Sequence, residues 1–222
     1  FRVAGQAMSR TARGVPVLQV YGSTETCPIA IYTRLSGDLS RTGSTGLPGL
    51  CCEAKIIDRD GDELPADTAG EIAVRGPNVF FEYWGNAKAT QQAIQDGWYR
   101  TGDIAQRDAD GYFFVLGRKN NLIISGGENV YPAEIERVLS EHPDVVECGV
   151  IGRPDPRWDE VPVAFVVRRT GCSLDAETLR AHLQSQLARF KVPRDIVFVD
   201  DLPRTALGKV QHHLLRQIDR PK

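Results

Sequence analysis

Apolar residues follow two different rhythms along this chain, and the change falls close to residue 118. From Leu47 to about Leu116 the apolar runs are short and are broken by Asp-Gly and Pro, a β-rich pattern in which Ala54 to Asp58 and Glu71 to Arg75 predict strands. Asp110-Gly111 lies between two further runs, Asp103 to Arg107 and Tyr112 to Leu116, which predicts a hairpin. Upstream, Val15 to Val20 predicts a short strand entering Tyr21-Gly22-Ser23-Thr24-Glu25-Thr26. Asn86 can cap a helix over Ala87 to Gln95 that stops at Asp96-Gly97.

Beyond Gly117 helices and strands alternate. Pro132 suits a first helical position, and Ile135, Val138 and Leu139 form one apolar face behind it. Val145 to Ile151 and Val161 to Arg168 predict strands. Asp175 is an N-cap flanked by Leu174 and Leu179, and Leu179, Leu183 and Leu187 continue as a core stripe. A strand over Ile196 to Val199 and a basic helix from near Lys209 complete the pattern. The predicted fold class is mixed, α/β and α+β, with a boundary at about residues 118 to 120, and no internal repeat or low-complexity stretch occurs.

The chain has 222 residues, 41% hydrophobic and 25% charged, enough for one large domain or two small ones. A formal net charge of -2 gives no reason to expect nucleic acid or an anionic membrane as partner. No apolar run approaches the ~18 residues needed to span a bilayer, and no leader pattern precedes the first strand. Starting at Phe1 in a strand-like run, the chain reads as a piece of a longer protein. Cys27, Cys51, Cys52, Cys148 and Cys172 have no CxxC spacing and fit a reducing cytoplasm. The four histidines add no metal-ligand pattern, no structural metal is expected, and His212-His213 is expected to be solvated.

Four stretches carry candidate chemistry. Tyr21-Gly22-Ser23-Thr24-Glu25 follows an apolar strand with two hydroxyls, a carboxylate and close backbone at Gly22; hydroxyls hold phosphate oxygens, and a carboxylate suits Mg²⁺. A polar turn after a core strand is an equal reading of that stretch alone. Trp98-Tyr99-Arg100-Thr101-Gly102-Asp103 places a carboxylate after a glycine, able to accept from both hydroxyls of a ribose, though Asp is also common in turns. Gly117-Arg118-Lys119-Asn120 leads through Leu122-Ile123-Ile124 to Ser125-Gly126-Gly127-Glu128-Asn129 and Pro132, with Arg118 as a fixed fork of donors. Pro203-Arg204-Thr205-Ala206-Leu207-Gly208-Lys209 can deliver a compact positive charge to a developing anion, where a surface lysine is the commoner reading of any one such residue.

In this order the four resemble the superfamily of adenylate-forming enzymes: acyl- and aryl-CoA synthetases, peptide-synthetase adenylation domains and beetle luciferases. The resemblance runs from Val15 to the last helix and includes Gly70-Glu71-Ile72-Ala73-Val74-Arg75-Gly76 and Tyr83-Trp84. It implies that residues 1-118 are the C-terminal part of a large AMP-binding domain, with a β-rich subdomain over about 40-117. Residues 119-222 would then be a small mobile α+β domain carrying the catalytic lysine. Ser44-Thr45-Gly46-Leu47-Pro48-Gly49 mimics the family's phosphate loop but lacks the lysine and follows the Tyr-Gly-Ser-Thr-Glu motif, so it reads as a turn entering the β-rich part. The connection between Gly5 and Tyr21 is shorter than the family's usual one.

Such enzymes activate a carboxylic acid with ATP to an acyl-adenylate and pyrophosphate, and many then transfer the acyl group to the thiol of coenzyme A. The resemblance implies that Tyr21 stacks on adenine in the Gly22-Ser23 turn, Thr24 touches the α-phosphate region and Glu25 helps hold Mg²⁺. Asp103 and Arg118 would bind the ribose, and Lys209 would bridge the carboxylate and α-phosphate oxygens. The hinge position falls on Asn120, where the family usually has Asp or Lys. Ser125, Gly126 and Gly127 would line the pantetheine channel. Trp158 or Phe190 would stack on the CoA adenine with Arg194 near a phosphate, although both aromatics also read as packing residues. Cys27 is the one local candidate for the acyl pocket wall. The Pro203 to Lys209 loop also resembles sites that a lysine acetyltransferase and deacetylase modify reversibly. Loading of a carrier protein, and an inactive fragment lacking the phosphate loop, are the competing expectations.

Overall fold

The computed structural model describes residues 18–34, 43–206 and 208–219. These form two compact units, one ending at Lys119 and the other starting at Asn120. Half of the predicted Val15 to Val20 strand, most of the Gly5 to Tyr21 connection and Leu207 lie outside the described residues.

The first unit starts with β1 (Val20–Tyr21), β2 (Ile31–Tyr32) and β3 (Leu47–Pro48), an antiparallel set in the order β1-β2-β3. A second antiparallel sheet follows from β4 (Glu53–Ile57), β5 (Gly70–Arg75), α1 (Ala87–Ala93), β6 (Ile94–Gln95), β7 (Trp98–Arg107) and β8 (Phe113–Arg118). The ten-residue β7 is its spine, pairing with β5 along one edge and with β6 and β8 on the other. Ile56, Ile72, Val74, Ala105 and Phe113 from this sheet bury with Tyr21, Ala30 and Ile31 in one core. The predicted helix over Ala87 to Gln95 ends two residues early. Asp96 and Gly97 take positive φ (50° and 77°), the tight-turn geometry that lets Ile94 and Gln95 pair with Tyr99 and Trp98 as strand. Ser44 and Thr45 are buried, with the Ser44 hydroxyl donating to Phe113 O and accepting from Gly46 N–H, so this turn is consumed by its own packing.

The second unit comprises β9 (Ile123–Ser125), β10 (Glu128–Val130), α2 (Pro132–Ser140), β11 (Val145–Asp155), β12 (Asp159–Arg168), α3 (Ala176–Gln184), β13 (Asp195–Phe198) and α4 (His212–Ile218). The sheet runs β10-β9-β12-β11, and β13 joins β12 in parallel. Because side chains alternate along a strand, β12 serves two cores. Ala164 and Val166 pack with Ile135, Val138, Leu139, Leu179 and Leu183 of α2 and α3. Val163 and Phe165 pack with Leu202 and Leu215, the latter on α4.

Pro132 opens α2 as predicted, and Asp175 caps α3 by accepting from Thr178 N–H at 2.8 Å. The β11–β12 hairpin is longer than the apolar pattern suggested, because pairing continues through polar residues to Asp155↔Asp159. The last helix starts at His212 instead of near Lys209, since Val210 bridges back to Arg204 and Gln211 precedes the first turn. His212 also corrects an expectation. It is not solvated but half-buried, with Nε2 3.1 Å from Glu136 Oε1, whose carboxylate also accepts from Val150 N–H. Leu179 is fully buried, so Leu179→Ala should destabilise this unit by about 3 kcal/mol, the usual cost of an unfilled leucine site. A denaturant titration of the chain, followed by a probe in this unit, checks it.

Candidate functional site

In the first unit the glycine turn after β1 is set by close backbone packing. A Cβ on Gly22 would lie 1.7 Å from Pro28 O, so only glycine fits. A single 3₁₀ turn, Thr24–Thr26, follows; Ser23 N–H donates to Thr26 Oγ1 at 2.8 Å, and Thr26 is fully buried. Thr24 and Cys27 stay exposed. The segment after β5 docks on this turn: Phe80 N–H donates to Glu25 O at 2.8 Å, Asn78 Nδ2 to Thr26 O at 3.1 Å, and Tyr83 OH to Glu25 Oε1 at 3.0 Å.

Burial raises the Glu25 carboxyl, but its own backbone N–H, the Ser23 and Tyr83 hydroxyls and the Arg118 charge hold it below its ordinary value. Glu25 is therefore an anion at neutral pH. That is the state a hard divalent cation requires, and such an ion draws its other oxygens from phosphates and water. Among the described residues no cluster of three or more side chains could hold a metal by itself.

Asp103 is delivered by an irregularity in β7. Glu71 pairs with Ile104 and Ala73 with Arg100, so β5 has one residue between the pairs where β7 has three. This bulge, with Gly102 at φ +71°, sets the facing of Asp103, which stays buried. Thr101 Oγ1 stabilises it, donating to Ile72 O at 2.9 Å and accepting from Asp103 N–H at 3.1 Å. Asp103 is paired across the ladder with Arg118, and Arg118 Nε lies 2.7 Å from Asp103 Oδ1. Tyr21 OH donates to Asp103 Oδ2 at 2.8 Å. Burial, then the Asp103 charge, pushes the Tyr21 phenol far above its ordinary value, so it remains a donor.

Tyr21, Gly22, Ser23, Glu25, Asp103 and Arg118 thus belong to one unit, where Tyr21 and Arg118 hold Asp103 and the Arg118 charge also acts on Glu25. Glu71, Thr101 and Tyr83 lie inside the motifs but carry no signal of their own in the chain: the β7 bulge brings Glu71 and Thr101 to Gly102 and Asp103, and Tyr83 reaches Glu25 from the segment after β5.

In the second unit, Ser125-Gly126-Gly127 turns β9 into β10, with φ of +59° and +85° at the glycines. The Trp158 ring lies on Gly126: a Cβ there would be 2.7 Å from Trp158 Cε3, and Gly126 N–H donates to Trp158 O at 2.8 Å. Trp158 is therefore a wall of the glycine turn as well as a partly exposed aromatic, held in a hairpin turn whose Asp155 accepts from the Arg157 and Trp158 amides. A pocket of about 760 Å³ beside it is lined by Ser125, Gly126, Trp158, Arg189, Phe190 and Arg194 among others. Arg194 Nη1 reaches Asp155 Oδ2 at 3.4 Å, and Lys191 is committed to Glu134 at 2.8 Å. Gly127 belongs to the turn but not to the lining, and Arg189 is a cation the sequence reading missed.

Asn120 lies in the 3₁₀ turn Lys119–Asn121 and uses no left-handed geometry; its carbonyl accepts from Arg216 Nη2 at 3.4 Å. Lys209 is exposed on a loop fixed by Thr205 N–H to Lys209 O at 2.9 Å, with Gly208 at φ +80°. The Cys148 thiol is pushed up to about 12 by burial and is inert at neutral pH. Among the described residues no helix is long and apolar enough to cross a membrane.

Residues 3–84 match the family model described as AMP-binding enzyme, and residues 134–209 match AMP-binding enzyme C-terminal domain. An indoleacetate–CoA ligase of Aromatoleum aromaticum is 50% identical over 206 residues, 93% of this chain and 40% of that protein. A 2-succinylbenzoate–CoA ligase of Geobacillus kaustophilus is 47% identical over 206 residues, 93% of this chain and 42% of its own length. The o-succinylbenzoate CoA synthetase of Bacillus subtilis, solved with ATP and a magnesium ion, superposes with a TM-score of 0.87 at 40% identity. That match covers 93% of this chain and 42% of the solved one. The chain thus spans about 40% of the length of the curated relatives it matches.

Proposed function

Because the chain belongs to the AMP-binding enzyme family, we propose that its protein joins a carboxylic acid to AMP and then to coenzyme A. In the first step a carboxylate oxygen attacks the α-phosphorus of ATP and pyrophosphate leaves. In the second, the CoA sulfur attacks the acyl carbon and AMP leaves. The observation that carries this reading is the Asp103 carboxylate held between Tyr21 OH and Arg118 beside the Gly22 turn, a receptor for a diol next to a flat phenol.

In this reading Asp103 and Arg118 grip the ribose, Tyr21 packs on adenine, and Ser23 and Thr24 face the phosphates. Glu25, whose carboxylate accepts from the Tyr83 hydroxyl, would hold Mg²⁺, whose charge offsets that of the phosphate oxygens. Lys209 brings its ammonium to the oxygens that become negative, and Asn120 is the pivot between the two steps. The exposed Lys209 would also be the residue open to an acetyltransferase and deacetylase.

For the thiol half-reaction, the glycine turn at Ser125-Gly126-Gly127 would pass the pantetheine arm, with the nucleotide end in the adjoining pocket. Trp158 and Phe190 offer aromatic faces there, and Arg194 and Arg189 offer charge to phosphate. Trp158→Ala should raise the KM for CoA about tenfold, the scale of one lost base stack, while ATP–pyrophosphate exchange stays within twofold. Steady-state rates against CoA concentration, beside exchange without CoA, check this.

The matched relatives act on acids with an aromatic ring, and we extend that class to this protein, with Cys27 as a candidate for the pocket wall. The test is pyrophosphate release by the complete protein over aromatic, fatty and dicarboxylic acids, with and without CoA. Acid-dependent release that yields an acyl-CoA supports the reading. Release with transfer only to a phosphopantetheinyl protein would replace CoA by a carrier, and no release with any acid would overturn it.

A further inference from the structure

One buried carboxylate in the first unit belongs to no role described so far. Glu71, on β5, is only 6% exposed, yet it binds three donors from different parts of the chain. Its Oε1 accepts from Gly102 N–H at 3.0 Å. Its Oε2 accepts from Arg100 at 3.0 and 3.2 Å and from Lys119 Nζ at 3.2 Å. Arg100 is itself fixed, donating to the carbonyls of Asp58 and Arg59 and to Gln95 Oε1.

The placement of these donors matters more than their number. Gly102 is the positive-φ residue of the bulge and the immediate neighbour of Asp103. Lys119 is the last residue of the first unit, between Arg118 and Asn120. A buried carboxylate needs full compensation, and here its two oxygens divide that need between the bulge and the unit boundary. Thr101 already holds the Asp103 amide, so Glu71 supplies the remaining fixed point of the bulge.

We propose that Glu71 is a positioning residue: it fixes the bulge that presents Asp103 and tethers Lys119, so that chain movement at the boundary starts at Asn120. The Asp103 half of this rests on the ribose reading above, whereas the Lys119 half does not. Lys119 is 53% exposed, so its bond to Glu71 is the accessible end of the network and can be removed without opening the core.

Two experiments divide the proposal from the reading it rests on. The first needs no activity. Trypsin must take the Lys119 side chain into its own pocket, so the tether protects the Lys119–Asn120 bond. In the chain carrying Glu71→Gln, cleavage after Lys119 should accelerate about tenfold, the order of magnitude of one lost charge-assisted bond, while cleavage after Lys55 and Arg107 stays within twofold. Equal acceleration at all three sites means general loosening and overturns the tether, as does no change at Lys119. Lys119→Met, tested by hydrogen exchange at Asn120 and Asn121, is the second variant: faster exchange there with Gly102 unchanged is expected, and unchanged exchange at all three sites overturns it.

The second experiment compares ATP with 3′-deoxy-ATP in acid-dependent pyrophosphate release by the complete protein. Glu71→Gln should raise the KM for ATP about tenfold and that for the deoxynucleotide less than twofold, because a misplaced Asp103 harms only a sugar that carries the hydroxyl. Equal losses with both nucleotides overturn the positioning role. Asp103→Asn is the reference: if it fails to discriminate, the ribose reading falls, and the proteolysis result then decides Glu71 alone.

Discussion

Replacing Lys209 by alanine should slow ATP–pyrophosphate exchange by about 10²–10³-fold, the usual loss when one donor to a developing anion is removed. The expectation follows from chemistry and from the loop. The lysine leaves the fold immediately after Gly208 at φ +80°, and its backbone is pinned to Thr205 on both sides, Thr205 N–H to Lys209 O at 2.9 Å and Lys209 N–H to Thr205 Oγ1 at 3.2 Å. The base of the loop is closed by the Arg204↔Val210 bridge, and an ion pair from Arg204 to Glu147 anchors it to β11. The ammonium is thus carried on a fixed base without being committed to the core. Thermal stability should hardly move, since an exposed side chain away from packed features contributes within about ±0.5 kcal/mol. Thioester formation from presynthesised acyl-adenylate should also persist, because the attack on the α-phosphorus is then complete and pyrophosphate has already left. Normal exchange in the variant, measured by isotope exchange in the complete protein, would remove Lys209 from the reaction.

Gly22→Ala should cost both stability and rate. The added Cβ would meet Pro28 O at 1.7 Å, Pro28 C at 2.6 Å and Thr26 Oγ1 at 2.9 Å, and the first two are backbone atoms that cannot rotate aside. The turn is closed by Ala30 N–H to Tyr21 O at 2.9 Å, so relief requires the strands to part. An overpacked site of this kind costs about 3 kcal/mol. The turn also carries Tyr21, Ser23, Thr24 and Glu25, and a displacement on the order of 1 Å in such groups costs about 10² in rate. Gly61→Ala is the comparison: nothing lies within 4 Å of its Cβ, and only the φ of +98° opposes it, at about 1 kcal/mol. Melting curves of both variants and exchange rates of the complete protein check the contrast. Similar melting shifts for the two would mean that the Gly22 turn yields cheaply.

Most elements of this fold were legible because their signals are local. Asn86 and Asp175 accept from the amides three residues on, as N-caps do, and Pro132 opens its helix. Asp110-Gly111 marked the β7–β8 turn, although the strands run further than the apolar residues do, β7 starting at Trp98 and β8 ending at Arg118. What escaped was decided by pairing across distance. Ile94 and Gln95 look helical until Trp98 and Tyr99 pair with them. The basic stretch from Lys209 looks like the start of a helix, but Val210 is taken by Arg204. His212 has a solvent-facing sequence context, and only the fold brings Glu136, 76 positions away, to its ring. The site divides in the same way. Motif residues such as Asp103 and Arg118 could be named from the chain, whereas the Thr101 and Glu71 bonds that hold them depend on a bulge that no spacing announces.

The two-faced β12 has a consequence for handling this protein. Serving a core on each side, its middle reads Val161-Pro162-Val163-Ala164-Phe165-Val166-Val167, with no charge and no polar alternation. Such a segment is the composition that stacks into intermolecular sheets when its edges are bare. In the native chain β11 covers one edge, and β9 with β13 covers the other, while Pro162 lacks the amide that a growing ladder would need. Solubility therefore depends on the late-arriving β13 staying paired, so a boundary for expression belongs after α4 and never between Arg168 and Asp195.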